Sequence, residues 1–152
     1  MRNLLPLLLV WLMLAPALAD PREEVGRVLD DFHQAASQAD GARYFGHFSP
    51  EAVFLGTDLS ERWDLDQFKA YALPIFAKGK GWTYRPTFRK IYLAQDGQTA
   101  WFDEILANDN YGQTRGSGVM VKSGSDWKIA QYHLTVPIPN ELLDKVVEMI
   151  GK

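Results

Sequence analysis

From Trp82 onward the chain alternates apolar and polar residues with a period of two in four successive stretches. These are Trp82 to Ala94, Thr99 to Ala107, Gln113 to Lys122 and Trp127 to Val136. Between them stand Asp96-Gly97, Asp109-Asn110 and Ser123-Gly124-Ser125, residues that favour tight hairpin turns. Long strands joined by tight turns can only run antiparallel to their neighbours, because a parallel return needs a crossover of a dozen or more residues. Pro137 and Pro139 end the last strand, and Asn140 is placed to cap a final helix carrying Leu142, Leu143, Val146, Val147 and Ile150.

Upstream the period changes. Asp20-Pro21-Arg22-Glu23 reads as a helix start, with an N-cap, a proline in the first turn and an acid at the third position. Val25, Val28, Leu29, Phe32 and Ala36 then recur at helical spacing until Asp40-Gly41. A short second helix is expected over Ala42 to Phe48 and a strand over Ala52 to Thr57. Asp64 with Gln67 opens a third helix, whose buried stripe is Leu65, Phe68, Ala72, Ile75 and Phe76. Pro74 predicts a kink or an early break in it. Helices followed by an antiparallel sheet define an α+β class.

The first nineteen residues have a different character. Arg2 precedes an apolar run from Leu4 to Leu14, and Ala17-Leu18-Ala19 forms a small-x-small cleavage site before Asp20. The run is shorter than the ~20 residues that span a bilayer, and Pro6 and Pro16 interrupt it. Residues 1–19 therefore read as a signal peptide and residues 20–152 as one domain, periplasmic or secreted, with no membrane association after cleavage. The chain has no cysteine, so disulfides, thiol nucleophiles and a lipid-bearing N-terminal cysteine are excluded. A net charge of −3 without a basic stripe argues against nucleic acid as a partner. Aromatic residues make up 12% of the chain, enough to fill a deep core or to line a pocket.

Side-chain pattern also predicts a register. Trp127, Ile129, Gln131, His133 and Thr135 share a face in a regular strand. Matching apolar to apolar across the last hairpin needs an odd loop, most simply about three residues with a bulge. That places Val121 opposite Trp127, Ser117 opposite Gln131 and Arg115 opposite His133. A two-residue turn at Asp109-Asn110 pairs Glu104 with Arg115 and Phe102 with Ser117, whereas a slip of one residue substitutes Asp103 or Ile105 for Glu104. One face then runs from an apolar end to a polar end of Glu104, Arg115, His133 and Gln131. Arg115 would orient an anionic or carbonyl group there, and His133, Glu104 or Asp103 would move a proton. The alternative is a cross-strand ion pair with His133 as a hydrogen-bonded spacer.

Other signals are weaker. His33 lies at the edge of the first helix's apolar stripe and reads as a core-rim residue; His47 sits near a helix end. Three histidines far apart, without H-E-x-x-H spacing, give no metal motif, and no cofactor is expected. No G-x-S-x-G elbow is present, so Gly116 and Gly118, in mid-strand, read as sites of sheet bending or of close approach by a helix. Gly56 to Trp63 carries Asp58, Glu61 and Arg62 and reads as a solvated turn with a structural Trp63, or as a lid.

Three segments carry a resemblance. They are Phe54-Leu55-Gly56-Thr57-Asp58 with Glu61-Arg62-Trp63; Ala100-Trp101-Phe102-Asp103-Glu104; and Arg115-Gly116-Ser117-Gly118-Val119 with Trp127-Lys128-Ile129-Ala130-Gln131-Tyr132-His133. Together they resemble the SnoaL-like branch of the nuclear transport factor 2-like superfamily over essentially the whole of residues 20–152. The resemblance implies a cone, in which a strongly curved sheet wraps around the N-terminal helices and encloses a pocket. It also implies a homodimer through the outer face of the sheet. Its members include ketosteroid isomerase, cyclases, dehydratases and proteins that only bind. The Asp base and the oxyanion pair of ketosteroid isomerase map onto no residues here, so the reaction does not transfer.

The expected function is binding of a small, partly apolar molecule in a cavity lined by Phe54, Phe76, Trp101 or Phe102, and Trp127. Arg115, His133, Gln131 and Ser117 would fix its polar end. An isomerase, cyclase or dehydratase is the enzymatic alternative, and a non-catalytic interaction module is the third.

Overall fold

Asp20 accepts a hydrogen bond from Arg22 N at 2.9 Å and Pro21 occupies the first turn, so α1 (Pro21–Ser37) begins as its sequence requires. The computed structural model describes residues 20–151; the signal peptide expected over residues 1–19 lies outside them. Asp40 then caps α2 (Gly41–Gly46), which ends earlier than expected because the chain enters β1 (Phe48–Leu55) already at Phe48. A short β2 (Arg62–Asp64) returns along β1. Asp64 and Gln67 form a reciprocal capping box at the start of α3 (Leu65–Phe76). The helix runs through Pro74 and stops at Phe76, since the lost N–H falls in its last turn.

Four long strands follow: β3 (Arg85–Leu93), β4 (Thr99–Asn108), β5 (Gly112–Ser123) and β6 (Asp126–Thr135). The sheet order is β2-β1-β6-β5-β4-β3; only β1 and β6 pair in parallel. Its concave face closes on α1, α2 and α3 in an α+β cone. Phe32 of α1 lies 4.6 Å from Tyr44 and 5.0 Å from Tyr132, ring centre to ring centre, in the middle of the core. The β3 strand starts three residues later than its sequence suggested. Trp82, Thr83 and Tyr84 stand outside the strand ladder, and Pro86 lies on the edge strand, where a missing N–H is tolerated.

The predicted register is corrected at both hairpins. Ser123 pairs with Asp126, leaving a two-residue Gly124-Ser125 turn in which Gly124 has φ +63°. Lys122, not Val121, therefore faces Trp127. Farther along, Met120 pairs with Ile129 and Val119 with Gln131, so Ala130 is an extra residue and forms a β-bulge. The bulge exchanges the faces of everything beyond it: Tyr132 and Leu134 turn inward, whereas Gln131 and His133 turn outward. At the other hairpin, Asn108 pairs with Gly112 across three residues, and Arg115 faces Ile105, not Glu104.

After Thr135 the chain leaves the sheet. A 3-10 turn (Asn140–Leu142) leads into α4 (Leu143–Met149), which has neither the Asn140 cap nor the buried stripe expected of it. Among the described residues no helix is long and apolar enough to cross a membrane.

Candidate functional site

Three groupings of polar and aromatic residues emerge, and the sequence anticipated parts of each.

The first lies inside the cone. Glu104 is fully buried on β4 between strand and helix. Its Oε1 accepts from Tyr132 Oη at 2.8 Å and contacts His33 Nε2 at 2.8 Å; its Oε2 accepts from Arg89 Nε at 2.8 Å. Arg89 continues to Asp30 Oδ1 at 2.7 Å and to the Gly26 carbonyl at 3.2 Å. Burial pushes the Glu104 carboxyl up, but His33 and the Arg89 guanidinium outweigh it and hold the group below its ordinary value. Burial and then Glu104 push the Tyr132 hydroxyl well above its own. An ionised Glu104 only accepts, so His33 Nε2 is the donor in this contact. Arg89 on β3 thus takes the role expected of Arg115, and His33 proves to be a specific partner of Glu104 and not merely a core-rim residue.

Gly116 and Gly118 make room for this arrangement. A Cβ on Gly116 would lie 2.3 Å from Tyr132 Oη and 2.8 Å from Glu104 Oε1, and one on Gly118 would lie 2.9 Å from Phe102 Cζ. The close approach is by the same sheet, through side chains at Gly116 and through the Gln131 carbonyl as well as Phe102 at Gly118, and not by a helix.

The second grouping is on the outer face. Tyr92, Trp101, Val119 and Gln131 form one cross-strand row; Lys90, Asp103, Ser117 and His133 form the next; Phe88, Ile105, Arg115 and Thr135 form a third. Asp103, Ser117, Arg115, Gln131 and His133 are thus brought together as expected, but on the convex side, where Arg115 and Gln131 are exposed. His133 Nε2 lies 3.2 Å from Thr135 Oγ1. Trp101 also faces outward, stacked on Tyr92 at 5.6 Å. Phe76, Phe102 and Trp127 are core residues, Trp127 donating to Glu24 Oε2 at 3.2 Å near the start of α1.

The third grouping is an open cavity of about 420 Å³ at the mouth of the cone. Of the residues expected to line a pocket, Phe54 alone lines this one, and Trp127 borders a separate shallow cavity beside α1. One wall is Trp63 and Tyr71, stacked at 4.9 Å, with Phe68 beneath Trp63 at 5.6 Å. Trp82 and Tyr84, before β3, and Tyr111, in the β4–β5 turn, complete the aromatic lining. Gly81 anchors the Trp82 segment: Trp82 N donates to the Ala36 carbonyl at 3.2 Å, and a Cβ on Gly81 would stand 2.2 Å from that oxygen. Glu61 folds back from the β1–β2 turn over Gly56, where a Cβ would lie 2.2 Å from its Oε2. The segment from Gly56 to Trp63 is thus a turn, closed by Gly56 N donating to the Glu61 carbonyl at 2.8 Å. Its Trp63 belongs to the cavity wall. The Tyr84 hydroxyl is pushed up to about 12, by burial first and then by neighbouring Tyr111, Glu61 and Tyr71.

The sequence profile of the SnoaL-like domain matches residues 25–139. The chain belongs to the SnoaL-like domain family. Solved structures agree with this at low sequence identity. An NTF2-like protein of unknown function from Pseudomonas putida has a TM-score of 0.66 at 12% identity, covering 78% of this chain and 88% of that one. A cystatin-like domain of unknown function from Nostoc punctiforme reaches 0.68 at 13%, covering 90% and 89%. A provisionally assigned dehydratase of the NTF2-like family from Streptomyces avermitilis reaches 0.66 at 12%, covering 78% and 97%. No curated protein matches the sequence. These likenesses establish the NTF2-like fold of the SnoaL-like domain; its chemistry has to be argued from its own residues.

Trp82, Tyr84, Tyr71 and Tyr111 were not singled out in the sequence. The available signal was Pro86, which marks where pairing starts and frees the aromatic residues before it to line a cavity. Among the described residues, no group of three or more histidines and carboxylates could hold a metal ion.

Proposed function

We propose that this SnoaL-like domain binds a small, partly apolar molecule in the aromatic cavity at the mouth of the cone, and that it does so outside the cytoplasm. The observation that carries the reading is the cavity itself. Its size falls in the range that encloses most of a drug-sized ligand, and aromatic walls with a few polar groups are the usual composition of such sites. Trp63, Trp82 and Tyr84 are half-buried beside that space, held by backbone and core contacts, so they face it without rearrangement. The experiment is a thermal-shift screen of small aromatic compounds against wild type and Trp82→Ala. Hits that stabilise the wild type and lose their effect in the variant support the reading; no hit, or hits indifferent to Trp82, contradict it.

A dehydratase or isomerase is the second reading, favoured by the Glu104–His33 pair. His33 lines a depression between α1 and the start of β3 that shares Thr83 and Tyr84 with the main cavity. In this reading Glu104 holds the His33 imidazole through Nε2 and the ring transfers the proton at Nδ1. Turnover of a carbonyl compound that is abolished in His33→Gln, with ligand affinity kept, supports this reading.

Export rests on the leader-like residues 1–19, and N-terminal sequencing of secreted product beginning at Asp20 tests it. The outer face supports a homodimer. Phe88, Tyr92, Trp101 and Ile105 are exposed there in apolar rows that flank the polar row of Lys90, Asp103, Ser117 and His133. Light scattering of wild type and Trp101→Lys distinguishes a dimer disrupted by the charge from a monomer.

A further inference from the structure

The cavity has a sign. Among the residues lining it, Glu61 and Asp109 are acidic and none is Lys, Arg or His. Asp109 is already paired with Arg85 on the rim. Glu61 is not: among the described residues it forms no ion pair, and its Oε2 accepts only from Asp58 N, at 3.2 Å. Around it stand Trp63, Tyr71, Trp82, Tyr84 and Tyr111, whose ring faces are electron-rich.

A carboxylate ligand would need a cation here, and no Lys, Arg or His lines the cavity; Arg115 and His133 do not reach it, and its donors are neutral hydroxyls, amides and indoles. An organic cation needs the opposite. It gains from electron-rich aromatic surroundings and from an uncompensated carboxylate, and a cation with an apolar body loses little hydration on entry. We infer that the cavity selects a monovalent organic cation, a quaternary or protonated amine carrying an apolar or aromatic group, held among Trp63, Tyr71, Trp82, Tyr84 and Tyr111 with Glu61 as counter-ion. The inference rests on the reading of this cavity as a ligand site and adds the charge of the ligand to it.

The test is a matched pair of ligands of one shape, (4-hydroxyphenyl)trimethylammonium and 4-tert-butylphenol, titrated into the full domain by calorimetry at low salt. The cation should bind at least about tenfold more tightly than the phenol, as several cation–π contacts plus a counter-ion require. Glu61→Gln should reduce that preference by about fivefold while leaving the phenol unaffected, and added salt should reduce it in the wild type. Tyr111→Leu, an exposed turn position, should also weaken the cation selectively, and it serves if Glu61→Gln lowers the melting temperature. Equal affinity, or tighter binding of the phenol, overturns the cation inference and leaves the ligand site standing. Binding of neither overturns both.

Discussion

Gly116 and Tyr132 lie on adjacent strands so close together that a single methyl group on the glycine would stand 2.3 Å from the phenol oxygen. The missing side chain is what allows Tyr132 to reach Glu104 in the middle of the core. A flexible surface side chain would yield to a new methyl; this phenol cannot, because its ring is packed against Phe32, Phe54 and Phe102. Gly116→Ala should therefore destabilise the domain by about 1–3 kcal/mol, the usual cost of overpacking a filled interior. Urea denaturation measures this, and an unchanged midpoint would mean that the Glu104 network is not rigidly held.

Arg89 is the only guanidinium that meets the buried carboxylate among the described residues. Arg89→Met should cost roughly 3–5 kcal/mol, because it leaves Glu104 charged and short of a partner in the core. Pairing it with Glu104→Gln should recover part of that loss. A double variant as unstable as the sum of the two single variants would show that no such coupling exists.

Acid should weaken the fold in two stages. His47 is lowered from its ordinary value, by burial first and against the pull of Asp31. Its proton is bound more readily by the unfolded chain, so stability present above about pH 6.5 declines as the pH falls through His47's folded pKa. Glu104 and Asp31 are also lowered, Glu104 by His33 and Arg89 against its burial and Asp31 chiefly by Arg43. Their contribution holds above the ordinary carboxylate pKa and is lost as the pH drops through their folded values. Melting temperature against pH from 8 to 3 should fall throughout, with the first decline removed in His47→Gln; a rise in stability on acidification would contradict these assignments.

Arg115→Ala and His133→Ala should leave ligand affinity at the cavity within about twofold, since both residues point to the convex face, where substitutions act weakly on the interior. Any effect should appear in the oligomeric state. Loss of ligand binding in either variant would place the functional site on the wrong side of the sheet.

What could be read from the sequence was local. The Asp20 and Asp64 caps, the apolar stripe of α1 and the existence of the four strands are written in neighbouring residues and formed as expected, apart from the late start of β3 and the lengths of two turns. What could not be read depended on single-residue shifts. The bulge at Ala130 reverses the faces of Gln131 and His133, and the three-residue loop after Asn108 places Ile105, not Glu104, against Arg115. Alternation has no marker for an inserted residue, so each side chain beyond it was assigned to the wrong face. Glu104, singled out in the sequence, lies at the centre of the buried network, but its cation comes from the edge strand β3, and no hairpin argument from β5 could supply Arg89. The cavity escaped because Trp82 and Tyr84 fit a strand pattern while standing outside the ladder.

The most direct test of the ligand site uses the indole N–H signals of Trp63, Trp82, Trp101 and Trp127 in a nitrogen-15 spectrum of residues 20–152. The first two report on the cavity lining, Trp101 on the outer face and Trp127 on the core. Titration with (4-hydroxyphenyl)trimethylammonium should shift Trp63 and Trp82 together along one saturable curve and leave Trp101 and Trp127 in place. A saturable shift of Trp101 with Trp63 and Trp82 unmoved would contradict the account.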